Sequence, residues 1–81
     1  MHKAIVVRRH LTFSQAEPYL QRGYFLTRSV WKKKKEIHSF GTKNYRSITT
    51  NTEGERYHSA GWEPSEEDRL SDDWKVLYYT S

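Results

Sequence analysis

The sequence predicts an α+β domain, a small and mainly antiparallel sheet of about five or six strands with two short helices. Three observations lead there. β-branched and aromatic residues gather in short runs of strand length, not in long periodic stretches. Glycine, asparagine and proline punctuate those runs. Two segments, one around Thr12 to Gly23 and one around Pro64 to Ser71, carry helix-capping patterns. Eighty-one residues leave room for one domain, spanning 1–81.

Taken in order, Ala4-Ile5-Val6-Val7 is a β-branched run and reads as a strand, with Arg8, Arg9 and His10 leading out of it. In the next segment Phe13, Ala16 and Leu20 stand at helical spacing, and Gly23 suits the position after a helix end. Two starts compete. Thr12 with Gln15, or Ser14 with Glu17, can form a capping box. Pro18 favours the later start, because proline deep in a helix costs about 3 kcal/mol, so the expected helix runs from about Ser14 to Arg22.

Tyr24 to Trp31 reads as a strand with Tyr24, Leu26, Arg28 and Val30 on one face and Phe25, Thr27, Ser29 and Trp31 on the other. Lys32 to Lys35 follow as a run of like charges. Ile37 to Phe40 suits a further strand, and Gly41 to Asn44 a turn. Tyr45 to Thr50 and Arg56 to Ala60 flank Asn51-Thr-Glu-Gly-Glu55, a hairpin loop with a glycine for positive φ. Ser65 then caps a helix with Asp68 at its third position, and Glu66, Glu67 and Asp68 suit the positive end of its dipole. Trp74 to Tyr79 closes the sheet.

Composition narrows the function. The formal net charge is +4, with 30% charged and 15% aromatic residues, which favours an anionic partner and large planar contacts. No cysteine is present, which excludes disulfides and the ligand type most structural zinc sites use. The four histidines lack the spacing of a metal site, so no metal and no cofactor is expected. No apolar run approaches the roughly 20 residues of a membrane span, and the N-terminal apolar stretch is too short for a signal peptide. A cytoplasmic protein is expected. A domain this small has a thin stability margin, so association with further copies is the expected supplement.

Three groups of residues together carry a family pattern. They are Phe13-x-x-Ala16-x-x-x-Leu20-x-x-Gly23, then Arg28-x-x-Trp31, then Trp62-x-Pro64-Ser65-x-x-Asp68-x-Leu70-x-x-Asp73-Trp74-x-Val76. In this the chain resembles the phage Thoeris anti-defence proteins of the second type, formerly a domain of unknown function. The resemblance implies a non-enzymatic sponge. Such proteins assemble as homo-oligomers, a dimer or tetramer here, and hold cyclic nucleotide-type immune signals, notably glycocyclic ADP-ribose, in pockets between subunits. Some bind cyclic oligonucleotides as well. Two departures stand out. Many relatives have Asn-Gly after the first tryptophan, where this chain has Lys32 to Lys35, and Ser71 replaces a frequent alanine. The lysines favour a ligand with more phosphate, such as a cyclic oligonucleotide. The host-cell cytoplasm of an infected bacterium is the implied location.

The candidate ligand-binding residues are Trp31, Trp62, Asp73, Arg28, Lys32 and Lys33. Trp31 and Trp62 can stack on a base or pack in the core, whereas Trp74, opening a strand in period two with Val76, suits the core. Arg28 suits either a phosphate or an ion pair with Asp73 or Asp68. Asp73 suits the amino or hydroxyl donors of a nucleoside. The lysines suit phosphate, or a solvated loop. Two other functions fit the composition: a small basic module for single-stranded nucleic acid, and a protein-interaction inhibitor of a host enzyme. Enzyme activity is not expected, since no glycine-rich phosphate loop or nucleophile pairing is visible.

Overall fold

The computed structural model describes residues 3–31, 34–39 and 44–80. The elements are β1 (Lys3–Leu11), α1 (Phe13–Leu20), β2 (Phe25–Arg28), β3 (Lys34–Ser39), β4 (Tyr45–Thr50), β5 (Arg56–Ala60), α2 (Glu66–Leu70) and β6 (Trp74–Thr80). The strands form one six-stranded sheet in the order β1-β6-β2-β3-β4-β5, with every neighbouring pair antiparallel. The expected sheet and two helices are present, and the sheet dominates. The closing strand is not at an edge. It lies between β1 and β2, which is why it carries Trp74 and Val76, both fully buried.

α1 starts one residue earlier than the reading that began at Ser14. Thr12 is extended, accepts a hydrogen bond from the Gln15 amide and completes a capping box with it, so Phe13 opens the helix. Tertiary burial decides this choice. Phe13, Ala16 and Leu20 all enter the core, and starting later would leave Phe13 outside the helical period. Pro18 is therefore tolerated inside the helix. Its missing N–H affects the carbonyl of Ser14, an exposed residue that water can serve.

β2 is shorter than expected and ends at Arg28. Ser29 and Val30 turn, and the Trp31 amide donates to the Arg28 carbonyl at 3.2 Å. The turn breaks the period-two alternation, so Val30 is 55% exposed while Trp31 packs against the core. β3 begins at Lys34, so half of the lysine run is strand and not loop, paired with Thr50 and Thr49. Lys32, Lys33, Phe40 and Gly41 to Lys43, where a turn is expected from the sequence, lie outside the described residues. The β4–β5 hairpin matches expectation. The Asn51 side chain accepts from the amides of Glu53 and Glu55, and Gly54 takes φ +86. β1 runs further than its apolar part, with register shifts after Val6 and after Arg8, and with His10 at φ 60.

The two helices mark one side of the sheet. α1 packs against β1, β2, β3 and β6, and against α2. Its buried residues join Leu26, Ile37, Tyr45, Trp74 and Val76 in a single cluster. The register places Phe25, Thr27, Glu36, His38, Ile48, Leu77 and Tyr79 on the opposite side. Phe25 there stacks on His38, with ring centroids 4.0 Å apart, and meets Tyr79 edge-on at 4.9 Å.

Candidate functional site

Arg28 is the charged centre of the helix side. Leu26 and Arg28 point the same way from β2, and Arg28 is buried, so its guanidinium must find partners or cost several kcal/mol. It finds three. Nη1 donates to Asp68 Oδ1 at 2.9 Å, Nε to Asp73 Oδ1 at 2.9 Å, and Nη2 to Ser71 Oγ at 2.6 Å. Burial lowers the Arg28 pKa, and the hydrogen bonds and charges of Asp73 and Asp68 more than offset that, so the net shift is upward. Burial pushes the Asp68 carboxyl up, but the Ser65 amide, Arg28 and the Ser65 hydroxyl pull it below its ordinary value. Asp68 therefore does two jobs, capping α2 through the Ser65 amide and holding Arg28. Asp73 also accepts from the Val30 amide at 3.3 Å, which fixes the turn after β2. Both partners named from the sequence are engaged, and Arg28 serves to tie the sheet to the last helix.

Trp74 is the hub around which the other two tryptophans stand. Its Nε1 donates to the Asp68 carbonyl at 2.8 Å, and its ring meets Trp31 edge-on at 5.3 Å and Trp62 edge-on at 6.2 Å. Trp31 and Trp62 are both half-buried, and they open onto different clefts.

Trp62 shares a cleft of about 400 Å³ with Phe13, Glu17, Tyr45, Glu63 and Arg69. Tyr45 donates to Glu17 Oε2 at 2.8 Å and accepts from Gln21, so this wall is a fixed polar edge. Two carboxylates against one arginine make it a poor host for phosphate. Trp31 borders a second cleft of about 340 Å³ with Arg28, Lys34, Lys35, Lys75 and Tyr79. The Lys35 ammonium lies over the Trp31 ring, 4.8 Å from its centroid. Here three lysines stand beside an aromatic plate, with Glu36 as the one acid in the lining.

The structure thus brings Trp31 and Arg28 together, sets Trp62 apart from them, and places Asp73 behind Arg28. Lys32 and Lys33 precede this second cleft in sequence but lie outside the described residues. Lys34 and Lys35 belong to the lysine run that the sequence reads as suited to phosphate, although only Lys32 and Lys33 are named there as ligand-binding, and Lys75 is not singled out. The period-two step from Trp74 to Val76 does put Lys75 on the sheet side opposite the helices, which was the available signal. Among the described residues, no group of three or more histidine or acidic side chains gathers as it would around a metal ion. No helix among them is long and apolar enough to cross a membrane.

Residues 11–77 match the model of the Thoeris anti-defense 2-like domain. The chain belongs to the Thoeris anti-defense 2-like family. The matched span runs from the last residue of β1 to the middle of β6, so the Arg28 cluster, all three tryptophans and both clefts' principal walls lie inside this Thoeris anti-defense 2-like region. Comparison with curated proteins and with solved structures gives no match.

Proposed function

We propose that this family member binds and sequesters a cyclic nucleotide-type immune signal, glycocyclic ADP-ribose or a cyclic oligonucleotide, and does not cleave it. The supporting observation is the Trp31 cleft, where an aromatic plate stands among Lys34, Lys35 and Lys75 within a domain of anti-defence family. Phosphates settle against the lysines. Lys35 turns from the Trp31 face to a phosphate oxygen, which frees the ring to stack on a base, a contact worth about 1–3 kcal/mol. Arg28 stays with its carboxylates and holds the floor of the cleft in place. A homo-oligomer supplies the remaining walls, and light scattering on the purified chain reads its mass.

The test is recovery. The protein is incubated with glycocyclic ADP-ribose, or with cyclic di- and trinucleotides, and the filtrate is assayed before and after heating. Sequestration predicts a depleted filtrate, with intact signal returned once the protein is denatured. A filtrate that keeps its signal, or heating that returns only breakdown products, overturns the proposal.

A further inference from the structure

The cleft at Trp62, on the helix side, is one that signal capture at Trp31 does not use. Its volume of about 400 Å³ is in the range of small-molecule sites, and it shares no lining residue with the Trp31 cleft. Much of its wall is aromatic. Phe13 and Tyr45 are buried, and the half-buried Trp62 ring stands 6.0 Å from Phe13 at a tilt of 54°. The Trp62 amide donates to the Tyr45 carbonyl at 3.0 Å, which holds the tryptophan against β4. Glu17 and Glu63 supply negative charge in a chain whose net charge is +4. The Tyr45 hydroxyl takes Glu17 Oε2 and so orients that carboxylate, while Oε1 has no donor among the described residues. Neither Glu63 nor Arg69, both exposed, has an ion-pair partner among the described residues.

The lining limits the ligand. Two carboxylates repel a phosphate and attract a cation. A compact ammonium is strongly hydrated and gains little from a half-open aromatic wall. A guanidinium is flat and weakly hydrated, so it stacks on an indole while its fork of N–H donors reaches a carboxylate in the ring plane. Arg69 disfavours a bare cation, so the molecule that fits also carries an anion. We propose that the Trp62 cleft is a site for a guanidinium-bearing amino acid of the arginine type. Its guanidinium lies against Trp62 between Glu17 and Glu63, and its carboxylate meets Arg69.

Calorimetry at neutral pH with arginine, citrulline and agmatine tests it. Citrulline keeps the length of arginine but ends in a neutral urea group, and agmatine keeps the guanidinium but lacks the carboxylate. Arginine binds, and each of the other two binds weaker by roughly tenfold or more. Glu63→Gln, at an exposed position, lowers arginine affinity by a similar factor, with circular dichroism confirming that the variant folds. Arg69→Ala weakens arginine and leaves agmatine no weaker. No heat with arginine at millimolar concentration, equal binding of arginine and citrulline, or unchanged affinity in Glu63→Gln overturns the site. Recovery of the immune signal is unchanged in Glu63→Gln, and its loss there overturns the independence of the two clefts. A wild-type chain that binds arginine but returns no signal instead overturns the proposed function and leaves this site standing.

Discussion

Two buried carboxylates stand on opposite sides of the same sheet and have opposite surroundings. Asp68, on the helix side, accepts from the Ser65 amide and from Arg28, and its pKa falls. Glu36, on the other side, is buried with the Arg56 guanidinium 3.9 Å away, and burial raises its pKa. A carboxylate whose hydrogen bonds are made inside the chain is held charged, and one buried with only a distant cation is held toward its neutral form. The same rule separates the cations. Arg28 is the residue a phosphate hypothesis would choose first, yet its donors are engaged, while Lys34, Lys35 and Lys75 line the open cleft beside Trp31.

The largest effect expected on the helix side is loss of the arginine. Arg28→Met leaves Asp68 and Asp73 without their cation and lowers stability by about 3–5 kcal/mol, read as a shifted urea midpoint. A shift under about 1 kcal/mol, the value of an exposed pair, would remove the structural reading of this cluster. Next in size, Ser65→Ala removes the α2 cap and costs about 1 kcal/mol, with Thr12→Ala costing a similar amount at α1.

The smallest effect is the one that sharpens the contrast. Glu36→Gln removes a buried charge that Arg56 and Lys34 offset only in part, so the variant is more stable than wild type at neutral pH. The sign follows from linkage. A carboxyl whose folded pKa is raised contributes stability that is full below its unfolded value, near 4.3, and lost as pH rises through the folded pKa. The gain in Glu36→Gln therefore disappears on acidification. Asp68 runs the other way. Its contribution is present above the unfolded value, near 3.9, and is lost as pH falls through its depressed folded pKa. Thermal melts across the acid range read both trends.

How much of this the sequence discloses depends on how far apart the interacting residues are. α2 is legible because Ser65 and Asp68 are three residues apart and their exchange is local. The hairpin at Asn51 to Glu55 is legible for the same reason. The end of β2 is not, since the turn that sends Trp31 to the core is fixed by Asp73, more than forty positions away. The start of α1 failed for a related cause, as the burial of Phe13 beside Trp74 outweighed the local signal of Pro18. Arg28 was balanced between phosphate and ion pair because both partners are distant in sequence. Glu36 drew no notice at all. An acid beside four lysines reads as solvated, and only its neighbours across the sheet bury it.

Capture of the signal is tested most directly by calorimetric titration of glycocyclic ADP-ribose and of cyclic oligonucleotides into the wild-type chain and into Trp31→Ala. At least one ligand is expected to bind wild type below micromolar concentration, with Trp31→Ala weaker by roughly tenfold to a hundredfold while its urea midpoint shows it folded. No binding by wild type to any of them, or equal binding by the two proteins, would contradict capture at the Trp31 cleft.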